Sequence, residues 1–473
     1  MKKQQQLAAC TAGILLAAAA FFPALAADNH VKTDKAKDAD SDKKTAQQKA
    51  PIVIDADQLK YVDSNGDFFA QGNVNVTQMD SKILADLVEG NAKQYEVWIQ
   101  DKAVLMQPGM DLTGNSLQYN YQKHTGTMAD VNGNIDKERV HANQIELQPD
   151  KSIINKGWMT RCPAIVPDYR ISGESIEIWP GDHYIVHNAK FWIKNTVVYS
   201  MPAYRGSLKK DKTDNNPFPT IGYDHDGITL KQHLETPIGN NSNLSAFADL
   251  RYYSQKGFKP FYGVKDEEKG YNLQLVQGYL KDNDDSWIKV EPELRLNTTS
   301  KRLGESPFSY TFGASYGRWE DSAKSSWRQD YHVYFSRDPI KLSQSTTLNL
   351  GTGIGYTKES YNDTTWTPVR FDVNLNKKVS DRLSTWVGYS YNHDYDTTFD
   401  YNQPNSEQEL RTGFSYKVDR LNSIAINHTY EIDGHRVQDV DYTWTHNLHC
   451  WDASLTYRAK RDEIKFDITM AHF

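Results

Sequence analysis

From about residue 218 to its end, the sequence repeats one device: roughly ten residues of strict apolar–polar alternation, then a turn-rich or charged break. In "VRFDVNLNKK", Val369, Phe371, Val373 and Leu375 fall on one face and Arg370, Asp372, Asn374 and Asn376 on the other. "CWDASLTYRAK" separates Trp451, Ala453, Leu455, Tyr457 and Ala459 from Asp452, Ser454, Thr456, Arg458 and Lys460. "LRTGFSYKV" and "WIKVEPELRL" behave likewise. A period of two marks a strand, and about ten residues is what a tilted strand needs to cross the hydrocarbon of a bilayer. In lipid every backbone polar group must be paired within the protein, so strands span only as a closed barrel. A soluble β-sandwich, or a solenoid with one wet face, alternates in the same way. So many strands without an internal repeat, in a chain with 28 Tyr and 11 Trp for interfacial girdles, favour a transmembrane antiparallel β-barrel over 217–473. The spacing predicts about sixteen strands, within about two. "EIKFDITMAHF" reads as the closing strand, with Ile464, Phe466, Ile468 and Met470 toward lipid. The final Phe473 resembles an outer-membrane assembly signal, one position out of phase with those four.

The opposite end explains how such a chain reaches a membrane. Lys2 and Lys3, an apolar run and Ala24-Leu25-Ala26 predict a secretory signal peptide over 1–26. Small residues and Pro23 fit a cleavage site better than a membrane anchor. Leu7-Ala8-Ala9-Cys10 imitates a lipoprotein box, but its apolar run follows the box instead of preceding it, so Cys10 is expected to leave with the signal. Residues 27–50 offer almost nothing to bury and predict a disordered linker. Export places Cys162 and Cys450 in an oxidising compartment. Neither has the Cys/His spacing of a zinc site. They are either partners in one bridge or two unrelated buried thiols. The net charge of −7 argues against nucleic acid, whose binders carry a basic face.

Between these ends lies a repeat. Its core is apolar, any residue, Ala or Gly, an acid or amide, any residue, apolar. It occurs as "IDADQL" (54–59), "ILADLV" (83–88), "LTGNSL" (112–117), "VHANQI" (140–145) and "ISGESI" (171–176). A second small residue follows each: Gly72, Ala103, Gly133, Gly157 and Ala189. Two positions on comes an apolar one: Val74, Leu105, Ile135, Met159 and Phe191. Alternating strands recurring at this period are two-stranded units that bury their apolar faces only by stacking, into a solenoid or open roll. The five apolar residues line its interior, either as an ordinary packed core or as a groove for something apolar such as acyl chains. The first strand, near Ile52–Tyr61, is an exposed edge able to accept a partner's strand. Prolines at 202, 217 and 219 around a charged run mark the passage out of this domain, which spans 51–205.

A strand-repeat domain followed by a membrane barrel resembles the LPS-assembly (OstA/LptD) family. "IDADQLKYVDSNGDFFAQGNVNVTQ" is similar to its OstA/LptA-type β-jellyroll. "GWMTRCPAIVPDYRISGESIEIW" and "HNAKFWIKNTVVYSMPAY" resemble its passage into the barrel, and "CWDASLTYRAKR" lies where the family keeps a C-terminal cysteine. The resemblance implies that Cys162 and Cys450 tie jellyroll to barrel. The family often has four such cysteines; two allow one bridge. It also implies an outer-membrane protein with its jellyroll in the periplasm, inserted by the barrel assembly machinery. Lipopolysaccharide would arrive from an LptA-like jellyroll at the Ile52–Tyr61 edge, pass its acyl chains along the groove, and leave by a seam between the first and last barrel strands. Pro217, Pro219 and Pro237 are the seam candidates, because proline donates no ladder hydrogen bond; otherwise they simply end strands. The family's wider lumen holds an LptE-like lipoprotein plug, which a sixteen-stranded, porin-sized lumen puts in question.

The rivals are a passive porin with a periplasmic extension and an envelope-tethering protein. No catalytic Ser/His/Asp set or carboxylate pair stands out, so no enzyme, cofactor or metal is expected. His183 and His187 share a strand face in "HYIVH", and "DNDD" (282–285) is acidic. Isolated strand histidines are usually ordinary polar residues, and the acidic run lacks a calcium-loop pattern.

Overall fold

The computed structural model describes residues 52–209, 217–239, 241–395 and 397–470. The expected signal peptide, the linker and Phe473 lie outside these residues. Among the described residues the chain forms strands and turns alone. A 12-stranded sheet runs from Val53–Asp55 to Thr196–Ser207, and a closed barrel from Thr220–Asp224 to Glu463–Met470. The fold class expected from the alternation and the repeat is therefore the one observed.

The first sheet is antiparallel in sequence order, and its register slips near the middle of successive strands, between Gln71 and Val74, Ala85 and Glu89, and Ile99 and Lys102. Such bulges bend a strand, so each long strand serves both walls of one β-jellyroll. One wall carries the cross-strand ladder Val76–Ile83–Leu105–Leu112–Gly133–Val140–Met159–Ile171–Phe191–Tyr199. The other carries Met128–Ile145–Ile154–Ile176–Val186–Tyr204. Both ladders belong to one buried cluster. The small residues of the repeat fall where the strands bend: Ala142, Gly157 and Gly173 are neighbours in register. A Cβ on Gly133 would collide with the Asp111 carbonyl, and one on Gly157 with that of His141.

Sixteen strands, each hydrogen-bonded to the next in sequence, make the barrel. Four short pieces, Gly257–Phe258, Lys301–Arg302, Ile340–Ser343 and Thr364–Trp366, prolong hairpins. Leu230, Leu275, Phe371, Leu455 and Ile464 are exposed on the outer wall, whereas Asp372 and Arg458 are buried on the inner one. That is the distribution of a barrel with lipid outside and a polar lumen. Met470 departs from expectation: it is 5% exposed and belongs to the jellyroll's core cluster. Alternation gave its face correctly, but the jellyroll, not lipid, covers that face at the strand's end.

At the end of the barrel away from the jellyroll, a loop folds into the lumen. The segment between Leu383–His393 and Gln408–Lys417 folds inward and buries Phe399 against Trp319, ring centroids 5.8 Å apart. Asn402 N–H donates to Asp282 at 2.9 Å and Asn405 Nδ2 to Asp284 at 2.9 Å. Asp284 and Asp285 also pair with Arg461 and Lys281. The acids of "DNDD" thus fasten loops across the mouth.

Candidate functional site at the junction of jellyroll and barrel

Three structures meet where the sheets join. The first is the disulfide between Cys162 and Cys450, 288 residues apart, with Cα atoms at 4.9 Å. Cys162 follows the strand Ser152–Thr160, and Cys450 lies in the turn before Trp451–Arg458. The Thr160 hydroxyl donates to the Tyr169 carbonyl at 2.6 Å and accepts from Cys162 N–H at 3.0 Å, fixing the cysteine's loop. Among the described residues, the one group of three metal-ligand types within 4.8 Å is Cys162, Asp168 and Cys450, and both its sulfurs are spent on the bridge. His183 instead stacks on Trp179, centroids 4.5 Å apart, and His187 lies 3.0 Å from Glu177.

The second is an apolar column. All five residues the repeat points inward, Val74, Leu105, Ile135, Met159 and Phe191, are at most 1% exposed. Phe191 stacks on Tyr199 at 4.0 Å and meets Phe218 edge-on at 5.8 Å. Phe218 in turn meets Tyr169 at 5.3 Å, and Tyr169 meets Trp451 at 5.9 Å. The jellyroll's interior therefore runs, without a polar break in this chain of contacts, to Trp451 and Met470. By the alternation of their strands both belong to the outer face of the barrel wall.

That wall is where the barrel closes. The first strand, Thr220–Asp224, pairs with the last at three positions, Ile221–Ile468, Gly222–Asp467 and Tyr223–Phe466. Between the second and third strands ten pairs form. Pro217 and Pro219 immediately precede the first strand and bracket fully buried Phe218. The Pro217 carbonyl accepts from Tyr199 O–H and, at 2.8 Å, from Gln232 Nε2. The chain thus joins the ladder only at Thr220 and gives it five residues, while the second strand continues past that point to Ile238. Pro237 is placed differently: it pairs with Ser245 on the third strand, at a register slip, one strand removed from the closure. Its missing donor therefore falls beside the hairpin between the second and third strands.

The third is a charged knot on the luminal side. Arg205, from the last jellyroll strand, and Glu235, from the second barrel strand, are each 1% exposed and 2.9 Å apart. Lys265 reaches Glu235 at 2.6 Å, and Ser245 donates to it at 2.7 Å. Lys209 bridges Glu267 and Asp182, both at 3.0 Å. The His183 hydrogen bond, reinforced by Lys209 and opposed by burial, holds the Asp182 carboxyl below the usual range. Burial pulls Lys209 down, but its bonds to Asp182 and Glu267 outweigh this and raise it. The sequence offered no signal for the knot: alternation puts Glu235 and Lys265 inward, but their partner lies in the other sheet.

The fold and this junction define a class: an outer-membrane β-barrel joined to a jellyroll whose apolar interior ends beside the barrel's closing strands. Residues 53–153 match the family described as LptA/(LptD N-terminal domain) LPS transport protein. The chain is 26% identical over 216 residues to LPS-assembly protein LptD of Acinetobacter baumannii, covering 44% of this chain and 26% of that protein. It is 22% identical over 318 residues to LPS-assembly protein LptD of Bordetella pertussis, covering 57% of this chain and 39% of that one. By these matches the chain is similar to LPS-assembly protein LptD at low identity, and it spans well under half the length of those curated relatives. Among solved structures, a bacterial polysaccharide outer membrane secretin overlays with a TM-score of 0.32 at 14% identity, covering 54% of this chain and 96% of its own.

Proposed function

We propose that this chain is an outer-membrane translocon that receives lipopolysaccharide from a periplasmic jellyroll bridge and releases it into the outer leaflet through the barrel's closing seam. The observation that carries this reading is the continuity of the apolar column. From Val76 to Tyr199 and on through Phe218 to Trp451, it leads acyl chains toward the lipid side of the wall, beside a closure of three residue pairs. Few ladder bonds make a seam easy to part, and Pro217 and Pro219 keep it short. Pro237 has no part in it. The saccharide would cross the polar lumen, because sugars and phosphates are costly to strip of water in hydrocarbon.

Entry is at the other edge. Val53–Asp55 and Gln58–Val62 pair on one side only, with Asp67–Gln78, and Leu59, Tyr61 and Val62 are about half exposed. An unpaired edge of this kind is suited to strand addition by an LptA-like jellyroll. The jellyroll then lies in the periplasm, and insertion falls to the barrel assembly machinery. An LptE-like plug has little room here, since the segment carrying Phe399 already crosses the lumen.

Depleting the protein in its host tests the reading. New lipopolysaccharide should fail to reach an outer-leaflet modifying enzyme while other barrels still assemble. Unchanged surface lipopolysaccharide would overturn the proposal and leave a tethering or channel role.

A further inference from the structure

Large aliphatic side chains in full contact with water are uncommon in clusters. The jellyroll carries such a cluster beside the disulfide. In "CPAIVPD", Ile165 is 96% exposed and Val166 76%. In the neighbouring hairpin, Val197 and Val198 are 40% and 41% exposed. The two segments are bonded together: Lys194 N–H donates to the Asp168 carbonyl at 2.7 Å, Arg170 reaches the Lys194 carbonyl at 3.1 Å, and Tyr169 pairs with Ile193.

We propose that these two segments form a foot that inserts into the phospholipid leaflet around the jellyroll-side rim of the barrel, with Ile165, Val166, Val197 and Val198 entering the acyl boundary. Position is the first argument. Cys162 lies 4.9 Å, Cα to Cα, from Cys450, which directly precedes the barrel strand Trp451–Arg458. Ile165 is three residues on, so it is within about 11 Å of Cys162 even at full extension. The headgroup zone beyond the hydrocarbon is itself roughly 5–8 Å deep on each side. The covalent tie to the rim therefore keeps the foot within reach of the leaflet's surface.

Chemistry is the second argument. Pro163 and Pro167 bracket the tip and donate no backbone hydrogen bonds. The tip is thus poorly made for strand addition to a protein, and offers apolar side chains instead. Behind it, Trp192 lies under the Arg170 guanidinium at 4.7 Å and donates to Ser172 at 2.8 Å, with exposed Lys194 alongside. An amphipathic aromatic flanked by cations, above an exposed aliphatic tip, is the arrangement of interfacial membrane contacts, including those with anionic headgroups. A foot of this kind fixes the jellyroll's open end against the outer wall at the seam, where an acyl chain leaving Phe191 would otherwise meet water.

The test uses the full, oxidised chain in vesicles of zwitterionic and anionic phospholipid. Single variants Val198→Cys and Ile165→Cys carry an environment-sensitive fluorophore, with Met79→Cys as reference. Met79 is 81% exposed in a hairpin eight strands away, about 38 Å along the sheet. The Val198 and Ile165 probes should emit to the blue of the Met79 probe and be quenched by nitroxides placed high on the acyl chains. Val198→Cys keeps the test alive should a thiol at 165 disturb the nearby bridge. Emission matching Met79 would overturn the proposal. A blue shift without lipid quenching would also overturn it, showing that protein covers the patch.

Discussion

Cys450→Ser is expected to abolish the mobility difference between reduced and unreduced protein and to free the jellyroll from the barrel wall. The size of the effect follows from the loop. A bridge spanning 288 residues withdraws, on the chain-entropy model, on the order of 5 kcal/mol of freedom from the unfolded chain. The serine hydroxyl at fully buried position 450 adds a burial cost of about 1–3 kcal/mol. Both cysteines are essentially unexposed, and a lone reduced Cys162 would persist as a small buried apolar group. What is lost is mainly the tether. Protease cutting between the sheets should therefore rise in the variant, while each sheet keeps its own strands. Unchanged electrophoretic behaviour of the wild-type chain with and without reductant would show that the thiols are not bridged in the cell.

The charged knot should respond more strongly to loss of its acid than of its base. Glu235→Ala removes the carboxylate closest to both Arg205 and Lys265, which are nearly unexposed and lie 3.7 and 3.8 Å from Glu267. A buried charge deprived of its partner typically costs about 3–5 kcal/mol. Arg205→Ala is milder, because Glu235 keeps Lys265 at 2.6 Å and the Ser245 hydroxyl at 2.7 Å. Arg205→Met, which retains most of the side chain's packing, should be milder still. Denaturant unfolding of the purified chain in detergent micelles should rank the three in that order. A reversed ranking of Glu235→Ala and Arg205→Ala would mean that Lys265 does not hold Glu235 when Arg205 is gone.

Periodicity made much of the fold legible. Alternation over ten residues fixes which side chains share a face, so the barrel and its strand number could be read from stretches such as Val369–Lys378. The spacing of Gly133, Gly157 and their equivalents marked where neighbouring backbones approach too closely for a Cβ. Periodicity is silent on what covers a face. It placed Met470 outward without revealing that the jellyroll lies over it, and it did not bring Arg205 to Glu235 or fold Phe399 into the lumen. Proline chemistry was ambiguous in the same way: one missing donor falls just before the first barrel strand at Pro219 and another at a hairpin at Pro237. The bridge was suggested by two thiols in an exported chain, but pairing them rested on a family resemblance, since composition alone left them open.

The central claim is that the wall parts where the first and last strands meet. Tyr223→Cys combined with Phe466→Cys puts thiols on directly paired residues across that closure, within reach of a disulfide once side chains adjust. With the double variant as the cell's only copy, oxidation should stop delivery of new lipopolysaccharide to the surface, and reductant should restore it. A closure verified as cross-linked that still delivers lipopolysaccharide at the wild-type rate would contradict the account.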